Sequence, residues 1–103
     1  MNLRHKDPPA EIEVEMKIIG FIAGEYVSVV TRVTMAEGDS PAALLCSSRD
    51  AGIISPSLYT QIHHNRKWFV MQRNGEVLPP KDFTRAKLTQ SDSVLFFSIV
   101  TGG

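Results

Sequence analysis

Apolar and polar residues alternate without a break over residues 11–18: Ile12, Val14, Met16 and Ile18 fall on one side, and Glu11, Glu13, Glu15 and Lys17 on the other. A period of two over this length predicts a half-buried strand whose charged side meets water. After Gly20 and a Gly24-Glu25 turn, the alternation resumes over residues 26–35, a β-branched stretch in which Val27, Val29, Thr31, Val33 and Met35 share one side. The two stretches are expected to pair as a hairpin. Gly38-Asp39 ends the strand signal, and Ser40 then stands as a helix N-cap with Pro41 in the first helical position, where a missing N–H costs nothing. The helix is predicted over residues 41–51, stopped by Gly52, with Leu44, Leu45, Ser48 and Ala51 as a narrow apolar stripe. Ser55-Pro56 repeats the start signal for a short second helix with Leu58, Tyr59 and Ile62 on one face.

The remaining third reads as strands. Residues 68–72 form one, Asn74-Gly75 supplies a tight hairpin turn that tolerates positive φ, and Val77-Leu78 is the return, ended by Pro79-Pro80. Residues 81–89 are irregular or helical for a single turn. Ser91-Asp92 then turns into a last strand over residues 93–100, apolar on both sides and therefore expected in the middle of the sheet. Strands surrounding one principal helix predict an α+β domain, its mixed sheet carrying that helix across one face.

Composition narrows the function classes. The 103 residues are one domain, large enough to bury a core without staples. Eleven Lys and Arg balance eleven Asp and Glu, so there is no bulk electrostatic case for nucleic acid or an anionic membrane. Cys46 is the only cysteine, which excludes an internal disulfide and fits a reducing compartment. The sequence shows no apolar run of about 18 residues and no signal-peptide pattern, and a cytoplasmic protein is expected. Residues 1–11, polar and broken by Pro8-Pro9, are expected to be a disordered arm ahead of a domain over residues 12–100.

Few residues invite chemistry. His63-His64 are neighbours that a helix points about 100° apart, without a further ligand at metal spacing, so no metal is expected. Cys46 sits mid-helix where a small residue packs, with nothing basic placed to make it a thiolate. Arg66-Lys67 and Lys81, Arg85 and Lys87 read as solvated surface. No nucleophile elbow and no phosphate-cradling loop is present, so the protein is not expected to be an enzyme.

Two features stand apart. In the last strand, if Val94 and Phe96 point into the core, Leu95, Phe97 and Ile99 point to the opposite face. That face would be an apolar partner-binding patch, extended by Trp68 and Val70, unless the arm or the second helix covers it. Directly after this strand come Thr101, Gly102 and Gly103. Glycine loses more freedom on ordering than any other residue, so a diglycine adds nothing to a strand, but without side chains it can thread a narrow channel. Extended, residues 101–103 would reach roughly 10 Å, at about 3.3–3.6 Å per residue.

The stretch from Arg73 to Gly103 resembles the small sulfur-carrier proteins of the ThiS and MoaD family, which have the ubiquitin-like β-grasp fold. The residues that carry the resemblance are Asn74-Gly75-Glu76-Val77 followed by Pro79, Phe83, Leu88, and Asp92-Ser93-Val94-Leu95-Phe96-Phe97 running to Val100-Thr101-Gly102-Gly103. Ser91 stands where the family's usual Gly precedes the Asp, and the 52–67 segment is longer than in compact carriers. The resemblance implies that Gly103 is adenylated by a separate enzyme of the ThiF or MoeB type, which uses ATP and Mg²⁺. It further implies that a sulfur donor protein then supplies a thiocarboxylate sulfur for a sulfur-accepting synthase in molybdopterin or thiamin thiazole formation. In this scheme the carrier binds no cofactor itself, and Thr101 and Gly102 thread the partner's channel. The alternative is a ubiquitin-like modifier joined through Gly103 to lysines of target proteins.

Overall fold

The computed structural model describes residues 9–99. Its order is β1 (Glu11–Ile22), β2 (Glu25–Ala36), α1 (Pro41–Asp50), α2 (Pro56–His64), β3 (Phe69–Arg73), β4 (Glu76–Leu78) and β5 (Ser93–Ser98), with 3-10 turns at Arg66–Trp68 and Pro80–Phe83. This is a small α+β domain with a five-stranded mixed sheet in the order β2-β1-β5-β3-β4 and two helices. β5 occupies the centre, parallel to β1 and antiparallel to β3.

The alternating residues of β1 bury Ile12, Val14, Met16 and Ile18, and those of β2 bury Val33 and Met35. The same inner face carries Met71, Val94 and Phe96, and all of these form one core with Leu44 and Leu45 of α1 and Ile62 of α2. Both helices thus lie on the inner side of the sheet. Ser40 caps α1 by accepting from the Ala43 N–H at 3.2 Å, and Ser55 caps α2 by accepting from Leu58 at 3.0 Å. Ser48, fully buried on α1, donates to its own helix at Leu44 O (2.8 Å) and lies 3.2 Å from Met16 Sδ.

Several boundaries differ from the sequence reading. β1 starts at Glu11 and runs through Gly20 to Ile22, so the turn is Ala23-Gly24, with φ of 53° and 83°. The alternation is broken by Gly20 in the sequence but not in the ladder, because a glycine is what the ladder requires there. Ala51 is exposed beyond the end of α1, and α1's buried stripe gains Pro41 in its place. α2, at nine residues, is nearly as long as α1, at ten. Trp68 belongs to the 3-10 turn before β3, and β5 ends at Ser98, with Val100 outside the described residues. Asn74 and Gly75 form the expected tight turn, with φ of 53° and 86°.

Candidate functional site

β5 is fixed at both ends. At its start, the Asp92 carboxylate is buried and accepts from Arg73 Nη2 at 2.7 Å, Arg73 Nε at 3.1 Å, the Thr89 N–H at 2.8 Å and Asn74 Nδ2 at 2.9 Å. Arg73 Nη2 also donates to Lys87 O at 2.8 Å. Asn74 Oδ1 accepts from the Ser93 N–H at 2.8 Å, and the Asn74 N–H donates to Ser93 O at the same distance. One carboxylate therefore ties the β3-β4 turn, the 87–89 loop and the entry to β5 into a single knot. Burial raises the Asp92 pKa, but the hydrogen bonds from Asn74, Thr89 and Arg73 outweigh it and hold the carboxyl below its ordinary value.

At the far end, Ser98 packs directly on Gly20. A Cβ built on Gly20 would sit 2.7 Å from Ser98 Cβ and 3.0 Å from its backbone N and O, and Gly20 has a φ of 129°. The Ser98 hydroxyl donates to Phe21 O at 2.7 Å, and the Ile99 N–H donates to Trp68 O at 2.9 Å. These contacts carry the pairing of β5 to the limit of the described residues.

Between these anchors, the outer face of the sheet is carried by the residues of opposite parity to the core. Leu95 and Phe97 lie on it, with Leu95 half-buried, and Ile99 follows in the same register. Val70 is paired with Phe97 and is half-buried, and Trp68 stands beside Ile99. Phe97, Ile99 and Trp68 are 43%, 50% and 46% exposed. No helix of the described residues covers this face. β1 adds Ile19, the neighbour of Phe97 across the ladder, and Phe21, whose ring meets Tyr26 of β2 edge-on at 5.5 Å. Ile19, Phe21, Tyr26, Phe97 and Ile99 line a shallow groove of about 410 Å³ at the end of β5. A strip of exposed aromatic side chains on paired strands is a surface that gains by excluding water.

The other half of the same face is polar. Ser93 donates to Glu15 at 2.8 Å, which draws the Glu15 pKa below its ordinary value, with Lys17 3.6 Å away adding to the effect. Arg32 reaches Glu13 at 3.9 Å. The outer face thus changes from charged to apolar along β1, between Lys17 and Ile19.

Of the residues expected in a patch, Leu95 and Phe97 of β5, Ile99 just after it and Val70 of β3 share one face, whereas Trp68, in the 3-10 turn, meets Ile99 through the backbone and lines a separate groove with Gln61, Asn65 and Ser98. The expected patch did not include Ile19, Phe21 and Tyr26. The signal for the first two was present: they continue the parity of Glu11, Glu13, Glu15 and Lys17, a series read only as a polar side. Thr101, Gly102 and Gly103 lie outside the described residues. Among the described residues no group of three His, Cys, Asp or Glu side chains could hold a metal ion, and no helix is long and apolar enough to cross a membrane. His63 stacks on Tyr59 (5.4 Å) and meets Phe83 edge-on (5.9 Å), while Cys46 Sγ lies 3.3 Å from the Tyr59 hydroxyl.

No protein-family model matches the chain, and no curated protein matches it in sequence. Among solved structures, the chain is similar to the solution structure of the Haloferax volcanii HVO 2177 protein, with 18% identity, a TM-score of 0.53, and 100% of this chain covered against 99% of that one. At that identity the likeness is one of fold.

Proposed function

We propose that the domain is a β-grasp sulfur carrier of the ThiS and MoaD type, with Gly103 as the residue that is adenylated and converted to a thiocarboxylate. The observation that carries this reading is the path of β5. The central strand runs along an apolar face formed with Ile19, Phe21 and Tyr26, which no helix of the described residues covers, and Ile99 on that face stands four positions before Gly103. An adenylating enzyme that grips this face would receive the diglycine at its own active site. A carboxylate is a poor electrophile, so its oxygen must first be made a leaving group. The partner's ATP, with Mg²⁺, supplies that by forming an acyl-adenylate and releasing pyrophosphate; a persulfide of the donor protein then displaces AMP to give an acyl disulfide, and a thiol cleaves its S–S bond, which frees the thiocarboxylate and leaves a disulfide on the donor. The acyl-adenylate is open to water, and a tail without side chains at residues 102 and 103 lets the partner close around it. On this reading the carrier contributes a docking surface and a threading end, and the catalytic groups belong to the partner.

The test is to incubate the full chain with adenylating enzymes of the ThiF or MoeB type, ATP, Mg²⁺ and labelled pyrophosphate. Exchange of label into ATP that disappears on deleting Gly102-Gly103 supports the proposal. Tandem mass spectrometry of the C-terminal peptide from cells then looks for sulfur in place of oxygen, with alkylation to separate this from an oxidised residue of nearly equal mass. Absence of exchange with every such enzyme defeats the proposal. High-molecular-weight adducts that need Gly103 favour the protein modifier instead.

A further inference from the structure

The two edges of the sheet are treated differently. β4 is three residues long and is closed off by Pro79-Pro80, which is how folds keep an edge from recruiting another strand. β2 has none of these defences. It is twelve residues long, pairs with β1 at every position from Glu25 to Ala36 without a bulge, contains no proline, and carries one charged residue, Arg32, between its ends.

The register states which backbone groups are offered. Ile22 and Glu25 flank the two-residue turn and form a hydrogen-bonded pair, so Val27, Val29, Thr31, Val33 and Met35 direct their N–H and C=O groups at β1. The same parity is visible on the far side of β1, where the Glu15 N–H donates to Asp92 O at 2.9 Å. The backbone groups of Tyr26, Ser28, Val30, Arg32 and Thr34 therefore face away from the sheet, and no strand of the described residues pairs with them. The side chains beside this edge are mainly apolar on the inner face, where Val27 and Val29 are half-buried, and mixed on the outer, where the 58% exposed Val30 lies among Ser28, Arg32 and Thr34.

We propose that β2 is a homodimer interface, in which a second copy of this chain adds its own β2 antiparallel about a two-fold axis at Thr31. The strand is self-complementary in this register. On the inner face Val27 meets the second copy's Met35, Val29 meets its Val33, and the two Thr31 side chains meet each other. On the outer face Tyr26 meets Ala36, Ser28 meets Thr34, and Val30 lies along the aliphatic stem of Arg32. Apolar groups face apolar groups and hydroxyls face hydroxyls. Each Arg32 is already paired with Glu13 of its own copy, which offsets the approach of the two guanidinium groups. A register shifted by two residues sets Glu25 against the buried Met35 in one direction and Arg32 against the second copy's Arg32 in the other, so this one is favoured. The dimer joins the two sheets edge to edge and leaves both outer faces open. It does not depend on the sulfur-carrier reading.

Sedimentation equilibrium of the full chain is expected to give twice the 11.4 kDa of a single copy. Two substitutions at the solvent-facing Val30 test the register while leaving the core alone, with circular dichroism as the control for folding. Val30→Lys places a cation opposite the second copy's Arg32 and should weaken the dimer roughly tenfold, whereas Val30→Glu should tighten it several-fold. In a Cys46→Ser background, Thr31→Cys puts two thiols on the axis at a non-hydrogen-bonded pair, with Cα atoms about 4.5 Å apart, close enough for a disulfide. Air oxidation should cross-link it, and should not cross-link Val33→Cys. A chain that stays monomeric at high micromolar concentration overturns the proposal and leaves the edge to some other strand donor. A dimer indifferent to both Val30 substitutions, or one that cross-links equally through either cysteine, also overturns it.

Discussion

Replacing Asp92 by alanine tests whether one carboxylate sets the course of β5. The substitution strands Arg73 Nη2 and Nε, Asn74 Nδ2 and the Thr89 N–H, four donors that now meet Asp92 within 3.1 Å. Removing one member of a buried ion pair costs about 3–5 kcal/mol, because a charge is left without its partner. The Arg73 side chain is 28% exposed and can turn partly to water, so the expectation falls to about 2–4 kcal/mol. That is a large part of the roughly 5–15 kcal/mol of a typical domain. The effect carries a pH signature. An unfolded aspartate titrates near pH ~3.9, and the folded carboxyl is held below its ordinary value. Asp92 therefore contributes its stability above the unfolded pKa, and the contribution is lost as pH falls through the folded pKa. Urea denaturation of wild type and Asp92→Ala, followed by the fluorescence of the single Trp68, gives the difference at each pH, and taking the difference cancels the other carboxylates. The gap should be widest at neutral pH and shrink in acid. A penalty under about 1 kcal/mol at pH 7 refutes the argument, as does one that is the same in acid as at neutrality.

Gly20→Ala and Gly75→Ala form a matched pair. Both residues have positive φ, but a Cβ on Gly75 meets nothing within 4 Å while one on Gly20 strikes Ser98. Gly75→Ala should cost about 1 kcal/mol and Gly20→Ala about 2–4 kcal/mol in urea titrations; equal penalties would mean that the contact with Ser98 relaxes freely. Phe97→Ser combined with Ile99→Ser removes two exposed apolar groups and should change stability by under about 1 kcal/mol, while, on the proposed function, raising the KM for this chain in the pyrophosphate-exchange assay with little effect on kcat. An unchanged KM would remove the outer face from the docking argument. Glu15→Lys should leave the apolar half intact and alter the rate of association with the same enzyme, with the difference fading as salt is raised; stopped-flow mixing at two ionic strengths decides it.

The first two strands were readable because their alternation is long and their burial one-sided, so a period of two survives in the sequence over residues 12–18 and again over 26–35. The central place of β5 was expected from its apolar residues on both sides; the structure buries Val94 and Phe96 in the core but leaves Phe97 partly exposed on the outer face, so the position agrees while the outer apolarity is not core. What could not be read is contact between distant residues. Gly20 appeared as a break in β1 because nothing local says that Ser98, far along the chain, will press against it. Asp92 appeared only as a turn residue, since its partners Arg73, Asn74 and Thr89 come together through the pairing of β3 with β5. Ala51 looked like part of a helical stripe, but α1 ends one residue earlier and its burial passes to Pro41. The patch was partly readable: parity assigned Leu95, Phe97 and Ile99, while the change from charge to apolarity along β1 at Ile19 acquires meaning only once β1 is known to lie beside β5.

That change of character decides what kind of partner the outer face can hold. Phe21, Tyr26 and Phe97 are aromatic side chains with few rotamers, on strands locked by backbone pairing, so a partner that covers them orders little that is not ordered already. An all-apolar face would bind in many orientations, and this one does not have that freedom, because the Glu13, Glu15, Lys17 and Arg32 cluster occupies its other half. A partner must match an apolar area at the end of β5 and a charged one at its start, which fixes a single direction along the strand. In the proposed carrier, that direction is the one in which β5 leads toward Gly103. The Asp92 knot at the start of β5 and the Gly20-Ser98 contact at its end are the two devices that hold the strand in place for such a match.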